Sequence, residues 1–90
     1  MSPHVASIPQ RTLTWLTALA AAAGEHGWAT SAEVVEALRR STPGTTRVTP
    51  SAAGANLRSL HTAGLVESRP WNYRREWKLT RAGWAFVSSD

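Results

Sequence analysis

The chain contains no cysteine, so disulfides, thiolate zinc sites and cysteine nucleophiles are excluded and packing alone must hold the fold. Aspartate is almost absent: Asp90, at the last position, is the only one, which leaves a Ser-His-Asp arrangement without its orienting carboxylate. His4, His26 and His61 share no metal-ligand spacing, and no partner cysteine exists to complete a site. There is no glycine-rich phosphate loop. The longest apolar stretch, Leu16 to Ala23, is short, alanine-rich and interrupted by Thr17, unlike a membrane span or a cleaved leader. Glu33 and Glu36 sit one turn from Arg39 and Arg40, the pattern of an ion-paired solvent face rather than a carboxylate dyad. The expectation is a soluble, cytoplasmic protein, not an enzyme, with no cofactor, no metal and no membrane partner.

What is present is enough for one small core. Ninety residues with 42% hydrophobic content and five tryptophans fall outside the composition of disordered chains and within the size of one domain. A flexible arm is expected over residues 1–8 and a single domain over 9–88. Charge is uneven along the chain. Residues 1–46 balance Arg11, Arg39 and Arg40 against Glu25, Glu33 and Glu36, a net of 3 − 3 = 0. Residues 47–90 set Arg47, Arg58, Arg69, Arg74, Arg75, Lys78 and Arg81 against Glu67, Glu76 and Asp90, a net of 7 − 3 = +4. The entire excess lies in the second half, which suits a polyanionic partner.

Periodicity and punctuation divide the chain further. Pro9 opens a first helix whose apolar positions Leu13, Leu16, Leu19, Ala20 and Ala23 recur at helical spacing until Gly24. The Ala18 to Ala23 surface of that helix suits either the core or a homodimer contact. Trp28 and Ala29 form a short extended link, with room for a very short first strand. Thr30 and Glu33 have capping-box spacing, so a second helix begins near Ser31 and buries Val34, Val35 and Leu38. Residues 41–48, with Pro43, Gly44 and three threonines, read as a loop. Thr49 and Pro50 start a third helix that runs to about Ala63, turns Ala53, Leu57 and Leu60 inward, and stops at Gly64. Gly54 inside it signals close approach to something or simple tolerance, since glycine there costs about 1 kcal/mol. From Leu65 the period shortens to two. Leu65–Arg69 and Glu76–Leu79 read as strands, with Trp77 and Leu79 on one face and Glu76 and Lys78 on the other, joined by a tip over Pro70–Arg75. Thr80 caps a last helix in which Trp84 and Val87 return to the core. The fold class is mainly α with a small β-hairpin (α+β), in the order ααα-ββ-α.

Two runs carry a resemblance. Leu57, Leu60, Gly64, Leu65, Val66 and Arg69 form L-x-x-L-x-x-x-G-L-V-x-x-R, and Leu79, Thr80 and Gly83 form L-T-x-x-G. Together the stretch Val48 to Gly83 resembles the winged helix-turn-helix regulators of bacteria and phages, including the MarR-like and PadR-like repressors. The link between the second and third helices is longer than the usual turn of that motif, and the long dimerisation helices of MarR-like proteins have no room in this sequence. The resemblance implies a sequence-specific binder of double-stranded DNA, a small transcriptional regulator or a phage repressor or recombination accessory factor. The third helix would read the major groove, and the hairpin, as a wing, would touch backbone or minor groove.

On that reading the outward residues of the third helix are Ser51, Ala52, Ala55, Arg58, Ser59 and Thr62, mostly small, with Arg58 the one long cation able to address guanine O6 and N7. Asn56 falls toward the flank and reads as structural. Arg47 and Thr49 precede the helix where amides and hydroxyls hold phosphate. Arg69, Asn72, Arg74 and Arg75 would surround the hairpin tip. Trp71 and Tyr73 are expected to pack the hairpin onto the last helix, with stacking on unpaired bases as the rival use. Trp15, Trp28, Trp77 and Trp84 are assigned to the core or its edge. The rival reading of the whole chain is a protein-protein interaction module on the same fold, such as a phage-encoded modulator of a host protein, because fold does not dictate function.

Overall fold

In the computed structural model, residues 9–24, 27–41 and 48–88 are described. The expected arm at 1–8, the interior of the threonine-rich loop, Arg47, His4 and His26 lie outside them. Four helices and a three-stranded antiparallel sheet follow in the order α1 (Gln10–Ala23), β1 (Ala29–Thr30), α2 (Ser31–Ser41), α3 (Pro50–Thr62), β2 (Val66–Trp71), β3 (Arg74–Leu79) and α4 (Arg81–Ser88). The chain is a small α+β domain.

Local chemistry sets most helix ends. At α2 the capping box closes reciprocally: the Thr30 N–H donates to Glu33 Oε1 at 2.8 Å and the Glu33 N–H to Thr30 Oγ1 at 3.3 Å, which satisfies two otherwise orphaned donors. At α3 the Ala52 N–H donates to Thr49 Oγ1 at 3.1 Å, with Pro50 at the first helical position; a cap of this kind is worth about 1 kcal/mol. Gly64, at φ +81°, ends α3 by donating to the His61 carbonyl at 3.0 Å, while the Leu65 N–H reaches back to Leu60 at the same distance. α1 ends at Gly24, φ +73°.

The core lies between the helices and the inner face of the sheet. α1 contributes Trp15, Leu16, Ala18 and Leu19, α2 Val34, Val35 and Leu38, α3 Ala53, Leu57 and Leu60, and the sheet region Leu65, Val66, Trp77 and Leu79. In α1 the buried stripe is rotated from the expected one. Leu13, Ala20 and Ala23 are only partly buried, and Trp15 and Ala18 join Leu16 and Leu19 in the interior. The Ala18–Ala23 segment serves the core: of its residues only Ala21 is exposed. Gly54 meets nothing closer than Ser31 Oγ, at 3.7 Å from where a Cβ would stand, so its presence in α3 is tolerance rather than a required close approach.

The very short first strand for which the Trp28–Ala29 link left room is present as β1, and the hairpin departs most from expectation. The sheet order is β1-β3-β2, and the two-residue β1 pairs with β3 through Ala29↔Trp77 and Thr30↔Glu76. The hairpin strands extend to Trp71 and back from Arg74, so the tip is not Pro70–Arg75 but the two residues Asn72 and Tyr73, with φ +50° and +66°. Positive φ at both central residues is the type I′ pattern whose twist matches that of flanking strands. Pro70 does not break β2, because β2 is an edge strand and an outward-facing position there has no ladder donor to lose. Trp77 and Leu79 face the core and Glu76 and Lys78 the other side, as the alternation requires.

The two sequence runs meet in space. Thr80 donates its N–H to the Leu65 carbonyl at 3.1 Å and its hydroxyl to the Gly64 carbonyl at 2.8 Å, while its Oγ1 accepts from the Gly83 N–H at 3.1 Å. Gly83 packs directly against the Leu65 carbonyl. Trp84, Phe86 and Val87 on α4 lean on the core without entering it fully. No helix among the described residues is long and apolar enough to cross a membrane.

Candidate nucleic-acid interface

α3 presents two faces of opposite character. Ala53, Leu57 and Leu60 are buried, and Ser51, Ala52, Ala55, Arg58, Ser59 and Thr62 are all exposed. Ser51, Ala55, Arg58 with Ser59, and Thr62 follow at intervals of three and four, so they form one stripe along the helix. Thr62 Oγ1 donates back to the Arg58 carbonyl at 3.1 Å, which keeps that side chain close to the helix. The Arg58 guanidinium has no ion-pair partner among the described residues. Thr49 is exposed, with its hydroxyl oxygen accepting from the Ala52 N–H. Asn56 Nδ2 donates to the Ala52 carbonyl at 3.1 Å and the side chain lines a notch with Arg11, Thr12 and Trp15, a structural role.

The hairpin divides its cations into engaged and open ones. Arg69 is opposite Glu76 in the register; its Nη2 and Nε lie 2.9 and 3.0 Å from Glu76 Oε1, and its guanidinium stacks 4.3 Å from the Trp28 ring centroid. It is thus anchored to the sheet rather than standing at the tip. Trp28 also receives Lys78 Nζ at 5.5 Å, so this indole is a platform for two cations, a role that the sequence did not suggest. Glu67 faces Lys78 across the ladder, so the outer sheet face is paired by opposite charges. The arginines near the turn face no acidic residue across the ladder: Arg74 is opposite Trp71 and Arg75 opposite Pro70. Arg75 Nη1 donates to Ser68 Oγ at 3.0 Å, which orients it without neutralising it. Asn72 is exposed in the turn. Trp71 is 58% and Tyr73 106% exposed. The expected packing of these rings on α4 does not occur, because the twisted ladder carries the tip beyond the body of the domain.

One cleft joins these elements. Thr30, Ser31 and Ala32 at the start of α2, Pro50 at the start of α3, and Arg74 and Arg75 of β3 line it together. The α3 N-terminus, with no acidic residue in its first turn, brings partial positive charge to the same place as Arg74 and Arg75, whereas that of α2 is offset by Glu33. The Glu33 carboxylate, which accepts the Thr30 N–H at 2.8 Å, caps the α2 end of this cleft, and the same side chain borders the groove between α1 and α2 with Ala21, Ala22, Glu36, Ala37 and Arg40, where Arg40 Nε lies 3.8 Å from Glu36 Oε2. Sequence reasoning does not bring the start of α2 into the site, because only the β1–β3 pairing sets it beside the hairpin and a two-residue strand leaves no periodic signal. Among the described residues, no group of three His, Cys, Asp or Glu side chains is placed to hold a metal ion. Comparison with known proteins finds no matching family model, no matching curated protein and no matching solved structure.

Proposed function

We propose that this chain is a winged helix-turn-helix protein that binds double-stranded DNA in a sequence-specific manner, with α3 as the reading helix and the β2–β3 hairpin as the wing. The observation that carries the reading is electrostatic. From Ala37 to Val66 there is no acidic residue, and the cleft at the start of α3 holds Arg74 and Arg75 beside the N-terminus of that helix. A helix of roughly 10–12 Å diameter fits the major groove. The small residues Ser51, Ala52 and Ala55 let its backbone approach, and Arg58 supplies the long donor for guanine. Phosphates are held by the cleft, which orients the protein without reading sequence. The activity is binding alone, in the service of transcription or recombination control.

Arg58→Ala is expected to weaken binding by about 1–3 kcal/mol at one base position and to relax the preference there. Selection from a random duplex library at two salt concentrations, with the retained fraction sequenced for both proteins, checks this; an unchanged motif and affinity would remove α3 from the reading role. Arg74→Ala and Arg75→Ala are expected to weaken all duplexes alike. Each should flatten the log-affinity against log-salt plot by about 0.9 for every phosphate left unneutralised. No retention of any duplex by the parent protein, even at low salt, would instead support the protein-interaction reading, which the single arginine on α3 favours.

A further inference from the structure

Tyr73 stands where its backbone conformation is least suited to it. The second position of a two-residue hairpin turn with positive φ is glycine's place, yet a bulky side chain holds it at φ +66° and is 106% exposed. Nothing in the fold is gained by that choice, since the ring touches no core. Strain retained at an exposed aromatic points to use rather than to packing. Trp71, two residues back at the end of β2, is 58% exposed, and Arg69 lies 5.8 Å from its ring while stacked on Trp28. Arg74, opposite Trp71 in the ladder, and Arg75 beside it have no acidic partner among the described residues. The tip therefore offers two planar rings among open cations, one of them steadied by a guanidinium.

We propose that the hairpin tip is a base-stacking element, in which Tyr73, backed by Trp71, stacks on an unpaired nucleobase while Arg74 holds the adjoining phosphate. The favoured target is DNA in which duplex meets single strand. The inference rests on the nucleic-acid reading above and deepens it by naming the form of the substrate. Charge selects the occupant: a strand of bases linked by phosphates matches two exposed rings flanked by arginines, and every base has a π face to offer. Tyr and Trp carry polar atoms at the ring edge, which suits a base exposed to water better than a purely apolar wedge between paired bases.

The test compares the parent protein, Tyr73→Phe and Tyr73→Gly on three probes: a blunt duplex, the same duplex with a single-stranded extension, and an oligothymidine strand of about 10 nucleotides. The parent protein is expected to prefer the extended duplex over the blunt one by about 5- to 100-fold. Tyr73→Phe keeps that preference and Tyr73→Gly abolishes it. Because glycine relaxes the turn, Tyr73→Gly melts no lower than the parent, so its loss of preference is not a folding defect. Equal binding of blunt and extended duplex by the parent, or a preference unaltered in Tyr73→Gly, overturns the inference while leaving the duplex reading intact. Binding of the extension and of oligothymidine without the blunt duplex overturns the duplex reading and supports the stacking tip. Binding of none of the probes overturns both.

Discussion

Replacing Gly83 by alanine is expected to destabilise the protein by about 2–3 kcal/mol, the reverse of what the same change does in an ordinary helix. Glycine inside a helix is normally worse than alanine by about 1 kcal/mol, because it loses more backbone freedom on folding. Here the added methyl collides with the Leu65 carbonyl oxygen and stands 3.0 Å from Leu79 Cδ2. The carbonyl cannot retreat freely, because it accepts the Thr80 N–H at 3.1 Å. Backbone must therefore move, and with it the Thr80 hydroxyl that ties Gly64 to the start of α4. Gly54→Ala supplies the opposite case. Its methyl meets only Ser31 Oγ at 3.7 Å, so it is expected to stabilise by about 0.5–1 kcal/mol. Urea unfolding of the two variants beside the parent decides the matter: if Gly83→Ala is as stable as the parent or more so, the packing of Gly83 on Leu65 is not what holds α4 in place.

Trp77→Ala is expected to cost about 3–5 kcal/mol, a large share of the roughly 5–13 kcal/mol that a domain of this size commands. Trp77 is 2% exposed and faces the core from the central strand, so truncation leaves a cavity that neighbours on two sides must span. It also joins the sheet to the helices. The backbone beside it pairs with Ala29 of β1, and its Nε1–H donates to Ser31 Oγ at 3.3 Å. That link sets the start of α2 against β3, and so forms one wall of the cleft that holds Arg74 and Arg75. A fall in Tm of roughly 15–30 °C by circular dichroism is expected. Trp77→Phe keeps most of the packing and loses the indole N–H together with the volume of the second ring. It should cost less than half as much, because Ser31 is partly exposed and water can take over its hydroxyl. A cost for phenylalanine equal to that for alanine would place the hydrogen bond, not the buried volume, at the centre of this junction.

The helices were legible in detail because their signals are local. Thr30 with Glu33, Thr49 with Pro50, and Gly64 each act within a few residues, and the buried sets of α2 and α3 follow from spacing alone. The alternation of Trp77 and Leu79 against Glu76 and Lys78 likewise gave the correct inner face of β3. Legibility failed where a signal had two meanings. Pro70 marks a turn in most contexts and an edge strand in this one, and Tyr73 reads as a packing residue until the two-residue turn directs it outward. The candidate site was legible as a set of exposed α3 residues and hairpin arginines. Its division into anchored Arg69 and open Arg74 was not, because that depends on which residue each faces across the ladder.

By itself, then, the amino-acid order determined where the helices begin and end, which faces of α2 and α3 are apolar, and that the excess positive charge belongs to the second half. Those properties follow from capping, periodicity and composition, which operate within a turn or two of the chain. Only the tertiary structure decided that Ala29 pairs with Trp77, that Gly83 is required against Leu65, and that the starts of α2 and α3 share a cleft with Arg74 and Arg75. Each of these joins segments far apart in sequence, as in the bond between Trp77 and Ser31, 46 positions away. Such contacts arise from the packing of whole elements around one core, and no local pattern encodes them.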